Sequence, residues 1–361
     1  MRNLTFLFLT NNSDGLYGFR RELLATLTES NSVYVSTPDD GYFDELRSIG
    51  CQIIETPIDR RGLNPITDIK LFWRYRKLLR QIRPDMVVTY TIKPNVYGGL
   101  ACRLARIPYA ANITGLGTAF QKRGILRAIA SALYKIALRK ADVVFFENSG
   151  NQQTLLDSHI VKESKCCVLN GAGVNLEHYT FTEYPADDDE IRFLFIGRIM
   201  QEKGVDELFA AMECLHSDGI PCSLDVLGDY EEDYKEKIEQ YEAIGWLRFH
   251  GYQKDVRPFI ASCHCFVLPS WHEGMANTNL ECAAMGRPLI TSRIHGCMEA
   301  VIEGKSGLLC DAKNTDSLYE AMKAFIQLPY EKKATMGIAG RQHMEDKFDK
   351  KKVVEETIAH L

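Results

Sequence analysis

Short apolar runs punctuate the first half of the chain at Leu4–Leu9, Ser32–Ser36, Ile53–Thr56, Met86–Tyr90, Tyr109–Ile113 and Val143–Phe146, and helix-period patterns fill the gaps between them. A second series follows at Phe193–Gly197, Ser223–Gly228, Leu247–Gly251, Cys265–Pro269, Leu289–Thr291 and Leu308–Cys310. Strands alternating with helices predict parallel sheets, and two series predict two Rossmann-like α/β domains. At 361 residues the chain exceeds one typical core, which agrees. The expected boundaries are 1–173, a linker at 174–190 rich in Asn, Thr, Pro and acidic residues, 191–345, and a closing helix at 346–361.

Composition adds little to this picture, but charge adds more. The 45% hydrophobic content suits globular packing, and no stretch approaches the roughly 20 apolar residues of a membrane span. Met1–Thr10 is too short and polar-bounded for a signal peptide and reads as the first strand. Eleven scattered cysteines, several inside apolar runs, read as reduced core residues; Cys166-Cys167 and Cys263-His264-Cys265 lack a second pair at zinc-site spacing.

Net charge is −5 overall, yet residues 1–170 carry +8 and the remainder −13. Between Arg61 and Lys140, 16 Lys and Arg face only Asp68 and Asp85. Such a surface favours a polyanion. Nucleic acid fits poorly, because aromatic interleaving and recognition motifs are missing. An anionic bilayer fits better. The helix expected over 124–140 groups Leu126, Ile129, Leu133 and Ile136, flanked by Lys122, Arg123, Arg139 and Lys140, as either a core-packing or an interfacial helix.

In open parallel sheets, ligands bind beyond the carboxyl ends of the strands, so the loops there hold the candidate chemistry. After Cys265–Ser270 come Glu273 and, eight residues on, Glu281 in the first turn of a helix that Gly286 and Pro288 end. Two carboxylates so spaced suit different parts of one polyhydroxylated ligand, and the helix start between them suits a diphosphate. The alternative is a capping box, Thr278-Asn279-Leu280-Glu281. Arg198 and Lys203 follow another strand and either neutralise a diphosphate leaving group or are simply solvated.

In the first half, the loop Asn11–Gly18 reads as a glycine-bearing turn before a helix near Phe19. Lys93 either aims at an acceptor diphosphate or is an exposed lysine. Asn112 and Thr114 either shape a pocket or connect elements, and Glu147 either binds a hydroxyl or leads into the capping box Ser149–Gln152. Asp187 to Asp189 precedes a strand and reads as solvated linker.

Taken together, Gly197-Arg198, Lys203-Gly204, Pro269-Ser270, Glu273-Gly274 and Glu281, with Gly296–Glu299 and Gly304–Leu309, resemble the donor site of glycosyltransferase family 4, the retaining GT-B enzymes. Thr91–Asn95 and Thr114–Gly117 are similar to the branch that extends polyprenyl-diphosphate-linked glycans of bacterial surfaces. The resemblance implies a GT-B fold, two Rossmann-like domains facing an inter-domain cleft, with the final helix crossing back to the first. It implies retaining transfer of a hexose or N-acetylhexosamine from a UDP-sugar to a lipid-diphosphate-linked saccharide, without metal or other cofactor, by a cytoplasmic protein peripheral to an anionic membrane.

Arg198, Lys203 and Glu273 would be catalytic. Gly15, Gly197, Tyr252, Gln253, Gly274, Met275, Ala276, Asn277, Thr278, Asn279 and Glu281 would join them around the donor, and Tyr17, Lys93, Asn95, Thr114 and Glu147 would hold the acceptor. Relatives often carry a histidine near the reacting sugar, and residues 1–170 hold only His159, far from these loops; His272 and His295 flank the donor motifs instead. A GT-B nucleotide-sugar epimerase or hydrolase, or a non-catalytic nucleotide-sugar-binding protein, is the alternative.

Overall fold

The computed structural model describes residues 3–59, 62, 64–117, 124–187 and 190–361, so Arg61, Lys122, Arg123, Asp188 and Asp189 lie outside the described residues. The chain divides into two compact units, residues 1–172 with 351–361, and residues 173–350.

The first unit holds strands β1 (Thr5–Leu9), β2 (Ser32–Thr37), β3 (Gln52–Glu55), β4 (Met86–Tyr90), β5 (Tyr109–Ile113), β6 (Val143–Phe146) and β7 (Cys166–Val168). They form one sheet in the order β3-β2-β1-β4-β5-β6-β7, and every pairing is parallel. Its helices are α1 (Ser13–Thr28), α2 (Phe43–Ser48), α3 (Pro65–Ile82), α4 (Gly99–Ala105), α5 (Ile125–Leu138) and α6 (Ser149–Asp157). Helix α3 starts at a capped proline: the Asn64 side chain accepts from Ile66 N–H and Pro65 takes the first turn. Arg83 ends it in the left-handed conformation before Pro84.

The second unit holds β8 (Ile191–Ile196), β9 (Cys222–Leu227), β10 (Leu247–Gly251), β11 (Cys265–Leu268), β12 (Leu289–Ser292) and β13 (Gly307–Cys310), also all parallel, in the order β10-β9-β8-β11-β12-β13. Helices α7 (Val205–Ser217), α8 (Lys235–Ile244), α9 (Arg257–Ser262), α10 (Asn277–Ala284), α11 (Thr315–Ile326) and α12 (Tyr330–His343) complete it. Apart from the three-residue edge strand β7, which sequence analysis missed, each strand lies within a residue or two of the apolar run that predicts it.

The last helix, α13 (Lys350–Ala359), adds Val353 to the apolar cluster of Ala110, Val143 and Phe145 and Val354 to that of Phe8 and Val88, both on one face of the first sheet, since Phe8, Val88, Ala110 and Val143 are in register. The stretch 174–187 is packed rather than extended: Thr182 N–H donates to Met285 O, and the fully buried Arg287 guanidinium donates to the carbonyls of Thr182 and Glu183. All eleven cysteines are free thiols. His264, between two of them, accepts from Arg192 N–H at Nδ1 and donates from Nε2 to Ala186 O, so both nitrogens are committed.

Candidate functional site

Because all six strands of the second sheet run the same way, the loops at their carboxyl ends share one rim. The chain winds outward from β8 to β9 on one side and from β11 to β12 on the other, so the winding reverses between β8 and β11. That switch point is where a parallel sheet opens a ligand crevice. The β8 loop, Gly197–Gly204, and the β11 loop, Pro269–Ala276, flank it.

Those loops are fastened together. Gly204 takes φ +73°, and a Cβ there would sit 2.2 Å from Pro269 O, so glycine alone permits the approach. Trp271 N–H donates to Glu202 O at 2.9 Å. Across the switch point, Lys203 Nζ donates to Glu273 Oε1 at 2.5 Å, and Ser270 Oγ donates to the same oxygen at 2.8 Å. The Lys203 and Glu273 side chains keep 21% and 12% exposure, enough for a ligand to reach both and little enough for their charges to act strongly. Arg198, half exposed, stands 3.4 Å from Glu231.

The β12 loop grips the other side. Gly296 at φ +90° leaves no room for a Cβ, which would meet Gly274 O at 2.7 Å and Glu273 O at 2.8 Å. Its carbonyl accepts from Ala276 N–H at 2.7 Å, and its N–H donates to Glu299 Oε2 at 2.7 Å, while Glu299 Oε1 lies 2.8 Å from His295 Nδ1. His272 pairs with Glu202 at 3.5 Å.

Helix α10 begins at Asn277, with Ala276 as a cap residue that makes no side-chain bond, so Thr278 lies inside the helix and the capping box does not form. Glu281 instead accepts from the Tyr179 hydroxyl. Burial pushes its carboxyl up from 4.5 to about 7, against the opposing pull of Tyr179 and Lys350. Neither partner is near Glu281 in sequence, so no local signal announces them.

Three donor-side candidates are buried. Met275 and Ala276 were expected to line the sugar pocket, but both are buried in the apolar core. Asn279 is also fully buried: its N–H donates to Ala276 O and its Nδ2 to Thr291 Oγ1. Asn277 Oδ1 is buried with no hydrogen-bond donor of its own, an acceptor left for a ligand hydroxyl. Tyr252 is exposed after β10, and Gln253 Nε2 donates back to His250 O.

In the first unit the winding reverses between β1 and β4. Gly15 and Tyr17, read as loop residues, lie inside α1, which starts at Ser13 because the Asp40 carboxylate accepts from Ser13 N–H at 2.8 Å and also from its hydroxyl. A cap contributed 27 residues away leaves no mark in the local sequence. Lys93 is no solvated lysine: its ammonium donates to Asp68 and to Gly62 O, both at 2.8 Å, and Tyr97 shares Asp68.

Asn95, expected to meet an acceptor, is 1% exposed and spent internally, accepting from Thr89 Oγ1 and donating to Asn112 O. Thr114 is half-buried at the end of β5. Glu147 pairs with Arg20 at 2.6 Å in a buried contact, and Asn148, not Ser149, caps α6. Among the described residues, no group of three or more His, Cys, Asp or Glu side chains is arranged to hold a metal ion.

Comparison with known proteins bears on the whole chain. Residues 180–343 match the family described as Glycosyl transferases group 1, and residues 7–148 match Glycosyl transferase 4-like. The N,N'-diacetylbacillosaminyl-diphospho-undecaprenol alpha-1,3-N-acetylgalactosaminyltransferase of Campylobacter jejuni is 28% identical over 89% of each chain. The Staphylococcus aureus capsular polysaccharide biosynthesis glycosyltransferase CapM is 22% identical over 99% of this chain and 96% of its own. In fold, the chain resembles Anabaena HepE in complex with UDP-glucose, with TM-score 0.81, 18% identity and coverage of 99% and 100%. Two parallel Rossmann-like sheets, a Lys203–Glu273 pair across the switch point of the second, and family matches over both halves lead to one assignment: the chain is an enzyme of the glycosyltransferase family 4, with the GT-B fold.

Proposed function

We propose that this enzyme moves a hexose or N-acetylhexosamine from a UDP-sugar to a saccharide carried on a polyprenyl diphosphate, with retention at the anomeric carbon, at the cytoplasmic face of a membrane. The observation that carries the reading is the Lys203–Glu273–Ser270 cluster at the switch point, one cation and one carboxylate held together at the mouth of the second sheet. The activities of the Campylobacter relative and of an Escherichia coli diphosphoundecaprenol alpha-1,3-galactosyltransferase, 25% identical over 73% of this chain, support the acceptor class.

On donor binding, Lys203 and Arg198 take the diphosphate, and Glu273, released from part of its ion pair, accepts from sugar hydroxyls. Asn277 Oδ1 gains the donor it lacks, and Glu281 accepts from the ribose. As the bond from the anomeric carbon to the diphosphate oxygen breaks, charge grows on that oxygen, and two fixed cations stabilise it more than they stabilise the intact donor. The acceptor hydroxyl bonds to the anomeric carbon from the face the diphosphate leaves, and its proton passes to the departing oxygen. With Arg198 and Lys203 in place, the leaving group needs no metal, and no carboxylate serves as a nucleophile.

The test is mass-spectrometric detection of transfer from a panel of UDP- and GDP-sugars to a short polyprenyl-diphosphate monosaccharide, with EDTA present. One active UDP-sugar is the expected result. UDP release without a glycosylated product would replace transfer by hydrolysis, and UDP binding without release would replace it by a non-catalytic role.

A further inference from the structure

Helix α3 has two faces of different chemistry. Leu71, Tyr75, Leu78 and Leu79 are buried against the first sheet. At 100° per residue, Ile66, Ile69 and Trp73 fall on the opposite side, and they are 63%, 57% and 59% exposed. Lys70, Arg74 and Lys77 are exposed along the border of this outward stripe. The helix has one carboxylate, Asp68, and Lys93 and Tyr97 consume it. More than half of each of these three large apolar side chains lies in water, although Trp73 also meets the Phe72 ring edge-on.

The location matters as much as the composition. Asp68 lies in the first turn of α3 and Lys93 just after β4, so their ion pair fixes the start of α3 at the carboxyl-end rim of the sheet. Ile92, 39% exposed, leaves β4 at that rim, and Ile129, 53% exposed, lies in the second turn of α5, which descends from the same rim. Apolar residues on an outward helix face with cations at their border are the pattern of a helix lying in a bilayer interface, where each cation adds attraction toward anionic lipid.

We propose that the outward stripe of α3 docks on an anionic bilayer, inserting Ile66, Ile69 and Trp73 among the headgroups while Lys70, Arg74 and Lys77 meet lipid phosphates. Docking at this point sets the β4 loop with Lys93 at the surface in which a lipid-linked acceptor is dissolved; this last step rests on the proposed function, and the docking itself does not. Phosphate charge and an acyl boundary together satisfy both halves of the stripe, which an acidic protein surface would not.

The experiment is co-sedimentation of the full chain with phosphatidylcholine vesicles, with and without phosphatidylglycerol. Wild type is expected to partition onto the anionic vesicles and at least about tenfold more weakly onto neutral ones. The double variant Ile69→Glu/Trp73→Glu is expected to lose about tenfold or more in partitioning, with its far-ultraviolet circular dichroism and UDP affinity unchanged. Lys70→Glu/Lys77→Glu, which leaves the apolar residues in place, is expected to weaken binding to anionic vesicles alone. Wild-type binding that ignores phosphatidylglycerol, or charged variants that bind as wild type does, overturns the proposal. A stripe variant that changes oligomeric state without changing vesicle binding overturns it in favour of self-association. Transfer to a water-soluble short-chain acceptor, run in parallel, separates the two readings: vesicle binding with no transfer leaves the docking standing and removes the transferase acceptor, whereas transfer with no vesicle binding does the reverse.

Discussion

Glu281 is held at a carboxyl pKa of about 7 by burial, and that position has a consequence for stability as well as for ligand binding. Because the folded state holds this proton more tightly than the unfolded chain, where the ordinary value is 4.5, the group favours folding most at low pH. Its contribution is lost as pH rises from 4.5 through about 7, a change of roughly 3 kcal/mol from this residue. Glu281→Gln removes the proton and therefore flattens that part of the profile; urea unfolding of both proteins across this range measures the difference. On the proposed function, in which Glu281 accepts from the ribose, nucleotide affinity has the opposite slope, since the ionised carboxylate is the stronger acceptor. UDP titration calorimetry is expected to show affinity rising through about pH 7 for wild type and little pH dependence for the variant. Lys203→Ala acts elsewhere: on the proposed mechanism it removes a fixed cation that develops its full interaction only as the diphosphate departs, so kcat is expected to fall by about 100- to 1000-fold with a smaller change in KM. It also leaves the Glu273 carboxylate without its cation, which Ser270 alone then satisfies.

At the scale of elements, the loops matter through how closely their backbones approach. Gly296 stands with its Cβ direction facing the Glu273 and Gly274 carbonyls at under 3 Å, in a conformation that L-residues rarely adopt. Gly296→Ala is therefore expected to cost about 1 to 3 kcal/mol in stability and to displace the Glu273 loop, lowering kcat/KM while UDP affinity, which the proposed function assigns to Glu281, changes less. Thermal unfolding and steady-state kinetics on the same preparation read both effects. The motifs Gly197-Arg198, Lys203-Gly204 and Glu273-Gly274 were legible in sequence because each lies in one loop at the end of one apolar run. What was illegible depends on partners distant in sequence. Asp40 caps α1 from the β2 loop, turning the expected glycine turn into helix, and Tyr179, in a stretch read as linker, supports Glu281. Strand β7 is only three residues at a sheet edge, too short for a periodic signal. Asn95, Met275 and Ala276 sit beside motif residues but are buried, and because they lie in a helical turn and a loop rather than in strands, spacing alone did not reveal that they point inward.

For the molecule as a whole, covalent order and structural order diverge at the carboxyl terminus, because residues 351–361 complete the first unit rather than the second. Val353 is 3% exposed against Ala110, Val143 and Phe145, and Val354 is 9% exposed beside Phe8 and Val88. Each buried valine contributes about 1.5 to 3 kcal/mol to the unit it packs on. Two units with separate cores need not unfold together, so calorimetry of the intact chain is expected to resolve two transitions, with UDP raising only the one that belongs to residues 173–350. Removing residues 351–361 would strip part of the apolar cover from one face of the first sheet and lower the other transition by several degrees, leaving the UDP-responsive one in place. A truncated chain in which both transitions fall together would mean that the last helix couples the units, and that loss of donor binding on truncation has to be read as loss of the second unit's fold.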